Sequence, residues 1–378
     1  KHTLILLKLI CGCNGKNTAL LRNQNLFLPK TDCMKFLKYQ KCVLWVLAII
    51  FLWFIYPVAR VTFFLLTDPI QDDRSILANE TLIDDASGKN QTKHLGILHL
   101  PPDLNKSIAL LRKTLAEARR EGKQMIPFGA RHSMGKQSIQ ENAIHIDLKN
   151  LRAMKLEDGL LRVEAGARWS QVLNFLAPRG LAVEVMQSNA DFSIGGTLSV
   201  NAHGWQPERP PVASTVDRIR IMTADGELKI CSRTENQNLF RHALGGYGMM
   251  GILLEAWIRP VKNEILRSSH QVTTPSEFFS HWEKMKKEPV RLAFGRLSVA
   301  PDSFFEKILL VYYLPTGEIS KEPVTVKTGF RTSLSRAIFR ASLGSKRGKN
   351  FRNLMEGIAG GEAGGTHPRA SLLIEPVR

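Results

Sequence analysis

Cysteine is scarce in this chain of 378 residues, which contains only five. Four of them, Cys11, Cys13, Cys33 and Cys42, stand at or before the start of a long apolar segment, and only Cys231 falls in the predicted folded body. This spacing predicts neither a disulfide framework nor a zinc site, and no metal is expected. No internal repeat is visible along the chain. Cysteine usage therefore leaves the compartment of the protein open.

Acidic residues are also few, since 34 Asp and Glu face 52 Lys and Arg and the formal net charge is +18. Most of the excess lies at the two ends of the chain. Residues 1–41 carry eight basic residues against one acidic residue, and residues 331–378 carry nine against three. Basic ends are typical of solvated or membrane-flanking segments. We therefore predict no nucleic-acid partner.

Long hydrophobic runs are absent except for one near the N-terminus. Residues 42–59 contain no charged side chain, and a second apolar stretch continues after Arg60 to Leu66. A helix needs about 20 apolar residues to span a bilayer. The sequence therefore predicts a transmembrane anchor over residues 42–66. A cleaved signal peptide, with residues 57–59 near the processing site, is the alternative.

The charges that flank this run predict its orientation. Three lysines precede it and three aspartates follow it: Lys35, Lys38, Lys41, Asp68, Asp72 and Asp73. The positive-inside bias then predicts a single-pass protein with a cytoplasmic N-terminus and its main body on the non-cytoplasmic side of the membrane. The chain begins at Lys1, and Met34 resembles a natural start. Residues 1–41 are therefore treated as an N-terminal segment that need not be native.

Beyond the apolar run, the sequence predicts an α+β protein. Residues 67–94 are rich in Asp, Asn and Thr and are predicted to be a polar tether. Over residues 95–262, short strands alternate with amphipathic helices, the first of which is predicted to begin after Asp103 and to end at Gly122. Two Asp-Gly pairs predict hairpins. The pattern indicates two small α+β lobes.

The sequence changes in character after residue 262. Two segments, 291–299 and 307–314, alternate like antiparallel strands, and the glycine-rich motifs of the preceding region cease. Residues 343–366 are rich in Gly, Lys and Arg and are predicted to be a mobile loop. Residues 263–378 therefore predict a second α+β domain, one that covers a substrate.

Three glycine-marked segments stand in the first domain, at residues 128–133, 193–204 and 245–251. Glycine lets a backbone approach a ligand closely, and successive backbone N–H groups can cradle a pyrophosphate. A histidine stands in each of the first two segments, at His132 and His203. Three such segments in series indicate a large cofactor that carries phosphate.

The third segment matches the nicotinamide-dinucleotide fingerprint as Gly246-x-Gly248-x-x-Gly251. That fingerprint works only where a strand leads into the glycines and a helix follows. Here residues 238–244 resemble the end of a helix, and residues 251–258 resemble a strand. The order is inverted, so the sequence does not predict a nicotinamide site of this kind.

With these three segments in this order, the chain resembles the vanillyl-alcohol-oxidase/PCMH family of FAD-linked oxidoreductases. The nearest branch is that of the aldonolactone (gulonolactone and arabinonolactone) and alditol oxidases. The strand turn at 163–167 and the hairpin at 224–226 match as well, and the resemblance covers residues 95–262 and, more loosely, the start of the next domain. It implies a two-lobed PCMH-type FAD-binding domain over 95–262. An α+β cap domain with an antiparallel sheet is then expected over 263–378, truncated relative to the family.

The resemblance also implies which residues contact FAD. The first segment is expected to wrap the pyrophosphate, the second to line the flavin and phosphates, and the strand after Gly251 to meet the adenine end. The residues carried over by motif position are Pro127, Phe128, Gly129, Ala130, Arg131, His132, Ser133, Ser188, Ser193, Gly196, Asn201, Ala202, His203 and Ile252.

Two histidines and an arginine among these residues have more than one interpretation. In several family members the histidine at the place of His132 is covalently joined to the 8α-methyl group of the flavin, whereas a lone histidine in a turn more often makes a local hydrogen bond. His203 is expected to pack beneath the cofactor, and Arg131 either steadies a phosphate or is solvated. Asn201-Ala-His-Gly stands in this chain where many relatives have Gly-Thr-His-Gly.

The resemblance implies an FAD-dependent oxidoreductase that moves a hydride from a hydroxyl carbon of a sugar lactone, alditol or related polyol to flavin N5. Oxygen or a membrane carrier is the expected acceptor. No catalytic base is assigned, although Arg296, Tyr312, Tyr313 and His367 are available polar groups. Within the same fold, an oxidase of a lipid-linked sugar and an amino-sugar nucleotide reductase are alternatives. A non-catalytic, membrane-tethered protein with this fold is the alternative of another class.

Overall fold

The computed structural model describes residues 43–45, 55–67, 78–324, 330–358 and 364–374. Residues 61–378 form one compact unit, which holds all the strands given below. The N-terminal unit, residues 1–60, is helical where it is described, at 43–45 and 55–60.

The predicted N-terminal segments are only partly described. Among the described residues, none of the helices combines the length and the apolar character needed to cross a membrane. Much of the predicted anchor, at residues 42 and 46–54, lies outside the described residues. The same holds for all of residues 1–41 and for residues 68–77 of the predicted tether.

The regular elements confirm a mixed α+β protein. The strands are β1 Leu82–Ile83, β2 Thr92–Lys93, β3 Gly96–His99, β4 Gln124–Phe128, β5 Ala143–Asp147, β6 Met154–Glu157, β7 Leu160–Glu164, β8 Leu181–Val183, β9 Val216–Met222, β10 Leu228–Ser232, β11 Ile252–Ile258, β12 Pro260–Lys262, β13 Glu264–Thr273, β14 Leu292–Leu297, β15 Ile308–Ile319 and β16 Thr366–Pro368. The numbered helices are α1 Leu104–Arg120, α2 Trp169–Leu176, α3 Ile194–Val200, α4 Gln237–Ala243, α5 Pro275–Met285, α6 Phe330–Ser342, α7 Lys346–Ile358 and α8 Arg369–Leu373. Helix α2 continues into a 3₁₀ turn, Ala177–Arg179.

Two sheets lie within residues 95–262, the predicted first domain. Strands β3, β5 and β4 form a parallel sheet in that order, and β10, β9, β11, β7 and β6 form an antiparallel sheet. All seven residues of β11, the central strand, are buried. Its Glu255 carboxylate is neutralised by Arg162 at 2.6 Å and Arg220 at 2.8 Å, which explains how a charge is tolerated there. The three-stranded sheet ends at the first glycine segment.

Helix α1 packs against this domain as its apolar spacing predicts. Ile108, Leu111 and Ala118 are buried on one face, and the Asp103 side chain accepts a hydrogen bond from the Lys106 N–H at 2.8 Å. Gly122 follows the helix with φ of 65°, a left-handed conformation that glycine adopts without strain. The predicted start and end of the helix are therefore confirmed.

The cap on α1 gives a first prediction. Asp103→Ala should lower the free energy of unfolding by about 1 kcal/mol, because the Lys106 N–H loses its acceptor. Urea unfolding of the purified protein measures this loss. Asp103→Asn is the matched control, since an asparagine caps equally well. An equal loss in both variants would contradict the capping role.

The predicted hairpins and the inverted third motif are confirmed. Asp158 and Gly159 both have positive φ, 51° and 73°, which is the conformation of a two-residue turn between β6 and β7. Helix α4 leads into the third glycine segment and β11 follows it. A nicotinamide fingerprint needs the opposite order, so the structure agrees with its rejection.

Residues 263–378, predicted to form the cap, contain the expected antiparallel sheet, in the order β14, β15, β13, β16. Its last helix, α8, is attached to the first domain by Arg369. The buried Arg369 guanidinium donates hydrogen bonds to the carbonyls of Val183 at 3.2 Å and Glu184 at 2.9 Å. Residues 364–374 therefore connect the cap sheet to strand β8.

Two segments differ from their predictions. Residues 78–94, predicted to belong to a polar tether, contain the β1–β2 hairpin, because Ile83 is fully buried near Phe128 and Ile139. The segment 343–366, predicted to be a mobile loop, contains helix α7. Gly348 lies so close to the Ala341 carbonyl that a side chain would overlap it, which lets α7 pack tightly on α6.

Candidate cofactor-binding cleft

A cleft of about 650 Å³ opens at the end of strand β4, a volume typical of small-molecule and cofactor sites. The whole of the first glycine segment, residues 128–133, lines it together with Pro127. The other lining residues are Gln124, Met125, Ile126, Gln137, Ser138, Gln140, Leu148, Phe192, Ser193, Gly195, Gly196, Ser199, Val200, Tyr247, Gly248, Met249, Gly251 and Leu253. All three glycine segments therefore contribute to one cleft.

The first glycine segment turns sharply after β4. Arg131 has φ of 53°, in the left-handed region that few residues other than glycine adopt. The turn is held by the Ala86 N–H, which donates hydrogen bonds to the carbonyls of Arg131 at 3.0 Å and Ser133 at 3.1 Å. Within the described part of the chain, the N–H groups of Gly129 and Ala130 donate no hydrogen bond. They are available to an anionic ligand such as a pyrophosphate.

Gly129 is required by a close approach to the second segment. A Cβ at this position would overlap both Oγ and Cβ of Ser193. Ser193 in turn caps α3, where its Oγ accepts from the Gly196 N–H at 3.3 Å. The Cβ of any other residue at position 129 would therefore separate the first wall of the cleft from the second.

Helix α3 is held at the cleft by the turn at 163–167 and by a buried tryptophan. The Ile194 N–H donates to the Ala167 carbonyl, and the Gly195 N–H donates to the Ala165 carbonyl, both at 2.8 Å. Trp169, which is fully buried, donates from Nε1 to Thr197 Oγ1 at 2.8 Å. These bonds fix the second wall of the cleft to the central sheet.

The third segment closes the cleft from the other side. The Gly245 N–H donates to the Leu198 carbonyl at 3.0 Å, and the Tyr247 N–H donates to the Ser199 carbonyl at 2.8 Å. A Cβ on Gly248 would come within 3.9 Å of Pro127 Cγ. The third segment is thus hydrogen-bonded to the second and passes close to Pro127, which precedes the first.

His132 projects along the wall of the cleft beside an aromatic ring. The imidazole of His132 and the ring of Phe192 have their centroids 4.9 Å apart at an interplanar angle of 32°. Next to it, the hydroxyls of Ser133 and Ser138 are 3.0 Å apart and share a hydrogen bond. The packing defines the position of the imidazole that the resemblance singles out.

Arg131 is half-buried rather than fully solvated. Its guanidinium lies over the Phe128 ring, 5.2 Å from the centroid, and donates to the Asp84 carbonyl at 3.2 Å. Burial lowers the pKa of the Arg131 guanidinium, and the nearby carboxylates of Asp147 and Asp84 oppose that shift. These contacts attach the turn to the parallel sheet and to the segment after β1.

Five residues carried over from the family do not line this cleft: Ser188, Asn201, Ala202, His203 and Ile252. Asn201 ends α3 with φ of 48° and accepts from the Ala213 N–H at 3.0 Å, while the Ala202 carbonyl accepts from the Val212 N–H at 2.9 Å. His203 is exposed, and Ile252 is a buried residue of β11 between two lining residues. Their roles toward FAD stay predictions.

Several lining residues were missed by the sequence analysis. Phe192, Tyr247 and Met249 are the clearest examples, because each places a large side chain or a strained backbone at the cleft. Tyr247 has φ of 52° inside the third glycine segment, and Met249 is 77% exposed. For Tyr247 and Met249, the signal available in the sequence was a large side chain that stands between the glycines of a predicted ligand-binding loop.

The polar groups considered for the cap are not among the residues that line this cleft. Tyr312 and Tyr313 sit on β15, His367 is paired with Leu266 between β16 and β13, and Arg296 lies near the end of β14. In the described part of the chain, no group of three or more His, Cys, Asp or Glu side chains could hold a metal ion.

The residues present fit a dinucleotide cofactor. The first turn offers N–H groups of Gly129 and Ala130 without an acceptor, in a backbone whose left-handed residue is typical of anion-binding nests. Because Gly129 and Gly248 have no side chain, the neighbouring segments can approach them closely. Phe128, Phe192 and Leu253 of β11 supply apolar surface for the rings of a cofactor. Pyrophosphate and planar rings can thus be accommodated in one cleft.

Comparison with known proteins identifies this cofactor. Residues 104–232 match the family model of an FAD binding domain. A D-arabinono-1,4-lactone oxidase of Yarrowia lipolytica is 31% identical over 186 residues, which are 47% of this chain and 35% of that protein. A D-arabinono-1,4-lactone oxidase of Saccharomyces cerevisiae is 24% identical over 191 residues, 49% of this chain and 36% of that protein. The matched regions span about a third of the length of these relatives. The chain therefore contains a PCMH-type FAD-binding domain, and it resembles the aldonolactone oxidase branch of that family.

Proposed function

We propose that the chain functions as an FAD-dependent oxidoreductase that oxidises a hydroxyl carbon of a sugar lactone, alditol or related polyol. The observation that carries the proposal is the single cleft formed by all three glycine segments, with the N–H groups of Gly129 and Ala130 turned to no acceptor within the described residues. The names of the relatives favour a lactone as substrate and oxygen as electron acceptor. A membrane carrier is the alternative acceptor.

In this proposal the chain binds and orients, while bound FAD supplies a flavin N5 that accepts a hydride from the substrate. The first glycine segment holds the pyrophosphate through its N–H groups. The bonds from Gly245 and Tyr247 to the carbonyls of α3 hold the two later segments together. The group that removes the hydroxyl proton is not assigned.

We further propose that His132 is joined covalently to the flavin. Its position in the lining, with its ring against Phe192, keeps the imidazole inside the cleft. His203 is the alternative histidine, but it is exposed and lies outside the lining. A residue that forms a bond to a cofactor must reach it, and this favours His132.

The colour of purified protein tests the proposal. The folded wild-type chain should be yellow, and the absorbance should stay with the polypeptide after acid precipitation. His132→Ala should release all colour on acid treatment, because the bond is lost, whereas His203→Ala should keep the wild-type behaviour. Reduction of the bound flavin by a panel of lactones and polyols then tests the substrate class. A folded but colourless protein would contradict the proposal that the chain functions as an FAD-dependent oxidoreductase.

The apolar run at 42–66 supports a further proposal, that the protein is anchored to a membrane with its main body on the non-cytoplasmic side. The run is long for a signal peptide, and the flanking lysines and aspartates have the required asymmetry. Extraction of membranes with alkaline carbonate, and protease protection of sealed vesicles, distinguish an anchored protein from a released one.

A further inference from the structure

The end of the long apolar run packs on a pair of helices in the last part of the chain. Val61 is buried in one cluster with Ala337 and Ala341 of α6. The partly buried apolar side chains around them are Phe64, Leu65, Leu334, Ile338 and Phe351. Residues 61–67 are helical and continue the apolar run. The run therefore ends against α6 and α7, residues 330–358, which we call the α6–α7 helix pair.

Another side of α6 carries an exposed aromatic ring among basic residues. Phe339 is two positions from both Ala337 and Ala341, about 200° around the helix from each, and 45% of it is exposed among the described residues. Arg336 lies one helical turn before Phe339, on the same side. The Arg352 guanidinium of α7 lies 4.8 Å from the centroid of the Phe339 ring. The helix pair is therefore apolar toward the run and both aromatic and basic on this other side.

The turn between β14 and β15 adds two exposed rings beside α7. Ser298 in this turn donates from Oγ to Asn353 Oδ1 of α7 at 3.2 Å. Phe304 and Phe305 follow in the same turn, stacked with centroids 4.2 Å apart and 57% and 48% exposed. Phe305 has φ of 59°, a costly conformation for a side chain of this size. Exposed apolar groups on a strained backbone indicate a contact surface.

Charge on the helix pair is mostly positive. Residues 330–358 contain seven Lys and Arg against one Glu, and the turn at 298–307 adds Asp302, Glu306 and Lys307. Lys346 and Arg347, at the start of α7, are exposed. A partner for this surface therefore needs negative charge beside apolar groups.

The surface of an anionic bilayer offers both. Apolar side chains of interfacial helices enter the boundary between headgroups and acyl chains, while Lys and Arg contact anionic headgroups. The position of the helix pair favours this partner, because α6 packs on residues 61–67, which follow the uncharged stretch 42–59. The basic and aromatic surface thus belongs to the part of the fold that holds the end of the apolar run.

We propose that the α6–α7 helix pair and the adjoining turn with Phe304 and Phe305 dock on the surface of a bilayer that contains anionic phospholipids. The exposed rings enter the headgroup region, and the basic side chains contact the headgroup phosphates. This goes beyond the proposed oxidoreductase and the proposed anchor, since it assigns lipid contact to a part of the chain outside the apolar run.

Amine footprinting of the full-length chain tests the proposal. The chain is reconstituted into nanodiscs of phosphatidylcholine alone, or of phosphatidylcholine and phosphatidylglycerol in equal parts, and lysine acetylation is followed by mass spectrometry. Lys346 and Lys349 should react about 10-fold more slowly in the anionic discs, because several basic side chains contact the headgroups together. High salt should reverse the effect. Lys155 on β6, whose side chain is 71% exposed, is the internal control and should react equally in both.

Reversal of charge shows whether the basic side chains are responsible. Lys346→Glu combined with Arg347→Glu places acidic residues in the first turn of α7, where they favour the helix. In this variant Lys349 should react equally in the two kinds of disc. Lys284→Glu combined with Lys287→Glu makes the same change in charge at exposed positions near the end of α5 and should keep the wild-type protection of Lys349.

A second pair of variants tests the rings. Phe304→Ser combined with Phe305→Asn removes both, and asparagine tolerates the left-handed backbone at 305. This variant should lose most of the protection of Lys346. Phe279→Ser, which removes a ring that is 72% exposed on α5, is the matched control and should keep it.

Other outcomes overturn the inference or separate it from the proposed anchor. Equal reactivity of Lys346 in both kinds of disc contradicts the inference. Protection in detergent that grows with protein concentration assigns the surface to a second copy of the chain and also contradicts it. A chain that resists carbonate extraction while Lys346 stays reactive keeps the anchor and loses this inference. A chain that carbonate releases, with Lys346 protected only in anionic discs, loses the anchor and keeps the inference.

Discussion

Gly129→Ala is expected to lower the affinity of the chain for FAD by about 10- to 100-fold, the effect of overpacking a tight contact. The added Cβ would overlap Oγ and Cβ of Ser193, and neither atom can move away without disturbing the start of α3. The turn that carries the Gly129 and Ala130 N–H groups must then shift away from the second wall of the cleft. Flavin content per polypeptide, measured by absorbance, and titration of flavin-free protein with FAD report the loss.

A double substitution shows whether the contact itself is responsible. Ser193→Gly removes both overlapping atoms, and glycine replaces serine at a helix N-cap at a cost of only a few tenths of a kcal/mol. Gly129→Ala combined with Ser193→Gly should therefore bind FAD better than Gly129→Ala alone. If the double variant binds as weakly as the single one, the closeness of the two segments is not what glycine 129 provides.

Acidification is expected to destabilise the protein through a histidine outside the cleft. His145 on β5 is fully buried, and its Nε2 accepts from the Gln140 N–H at 3.2 Å. Burial, then the charge of His94 and that of Arg131, lower the pKa of His145 to about 4, against an opposing contribution from the Ala143 carbonyl. His145 is therefore neutral in the folded protein near neutral pH.

The sign of the effect follows from proton linkage. An unfolded chain binds a proton at His145 below about pH 6.5, whereas the folded protein does so only near pH 4. The stabilisation is complete above the unfolded pKa and falls as the pH drops toward the folded pKa, by about 3 kcal/mol in total. Urea unfolding at several pH values between about 7 and 4 measures the slope.

His145→Gln is the informative variant, because its amide oxygen can still accept from the Gln140 N–H and does not titrate in this range. It should flatten the dependence of the unfolding free energy on pH in that window. His242→Gln, which removes an exposed imidazole from α4, is the matched control and should keep the wild-type slope. A His145→Gln protein with that same slope would assign the acid sensitivity to other groups.

Local sequence patterns predicted the elements that depend on local physics. The spacing of Ile108, Leu111 and Ala118 predicted α1, and the Asp158-Gly159 pair predicted the β6–β7 turn. The order of the three glycine segments predicted a single cofactor cleft. The helix and the turn are determined by contacts between residues a few positions apart in the sequence. The cleft was predicted from the order of motifs in a known family.

Contacts between distant segments could not be predicted in this way. The environment of His145 depends on His94 and Phe128, whose ring centroids lie 5.8 Å and 6.3 Å from that of the His145 imidazole. Helix α7 was missed because its glycines and basic residues resemble a loop, whereas the space that Gly348 makes against Ala341 is a tertiary property. Such features appear only when the chain is folded.

The hairpin of β1 and β2 supports the first wall of the candidate cofactor cleft. The family match starts at residue 104, yet the Ala86 N–H supports the carbonyls of Arg131 and Ser133 from behind, and the Asp84 carbonyl receives the Arg131 guanidinium. A shortened protein cut at residue 104 would keep every residue of the first glycine segment and lose the contacts that Asp84 and Ala86 make with it. The structural support of the first glycine segment therefore begins upstream of the family match, in a stretch whose composition is that of a linker.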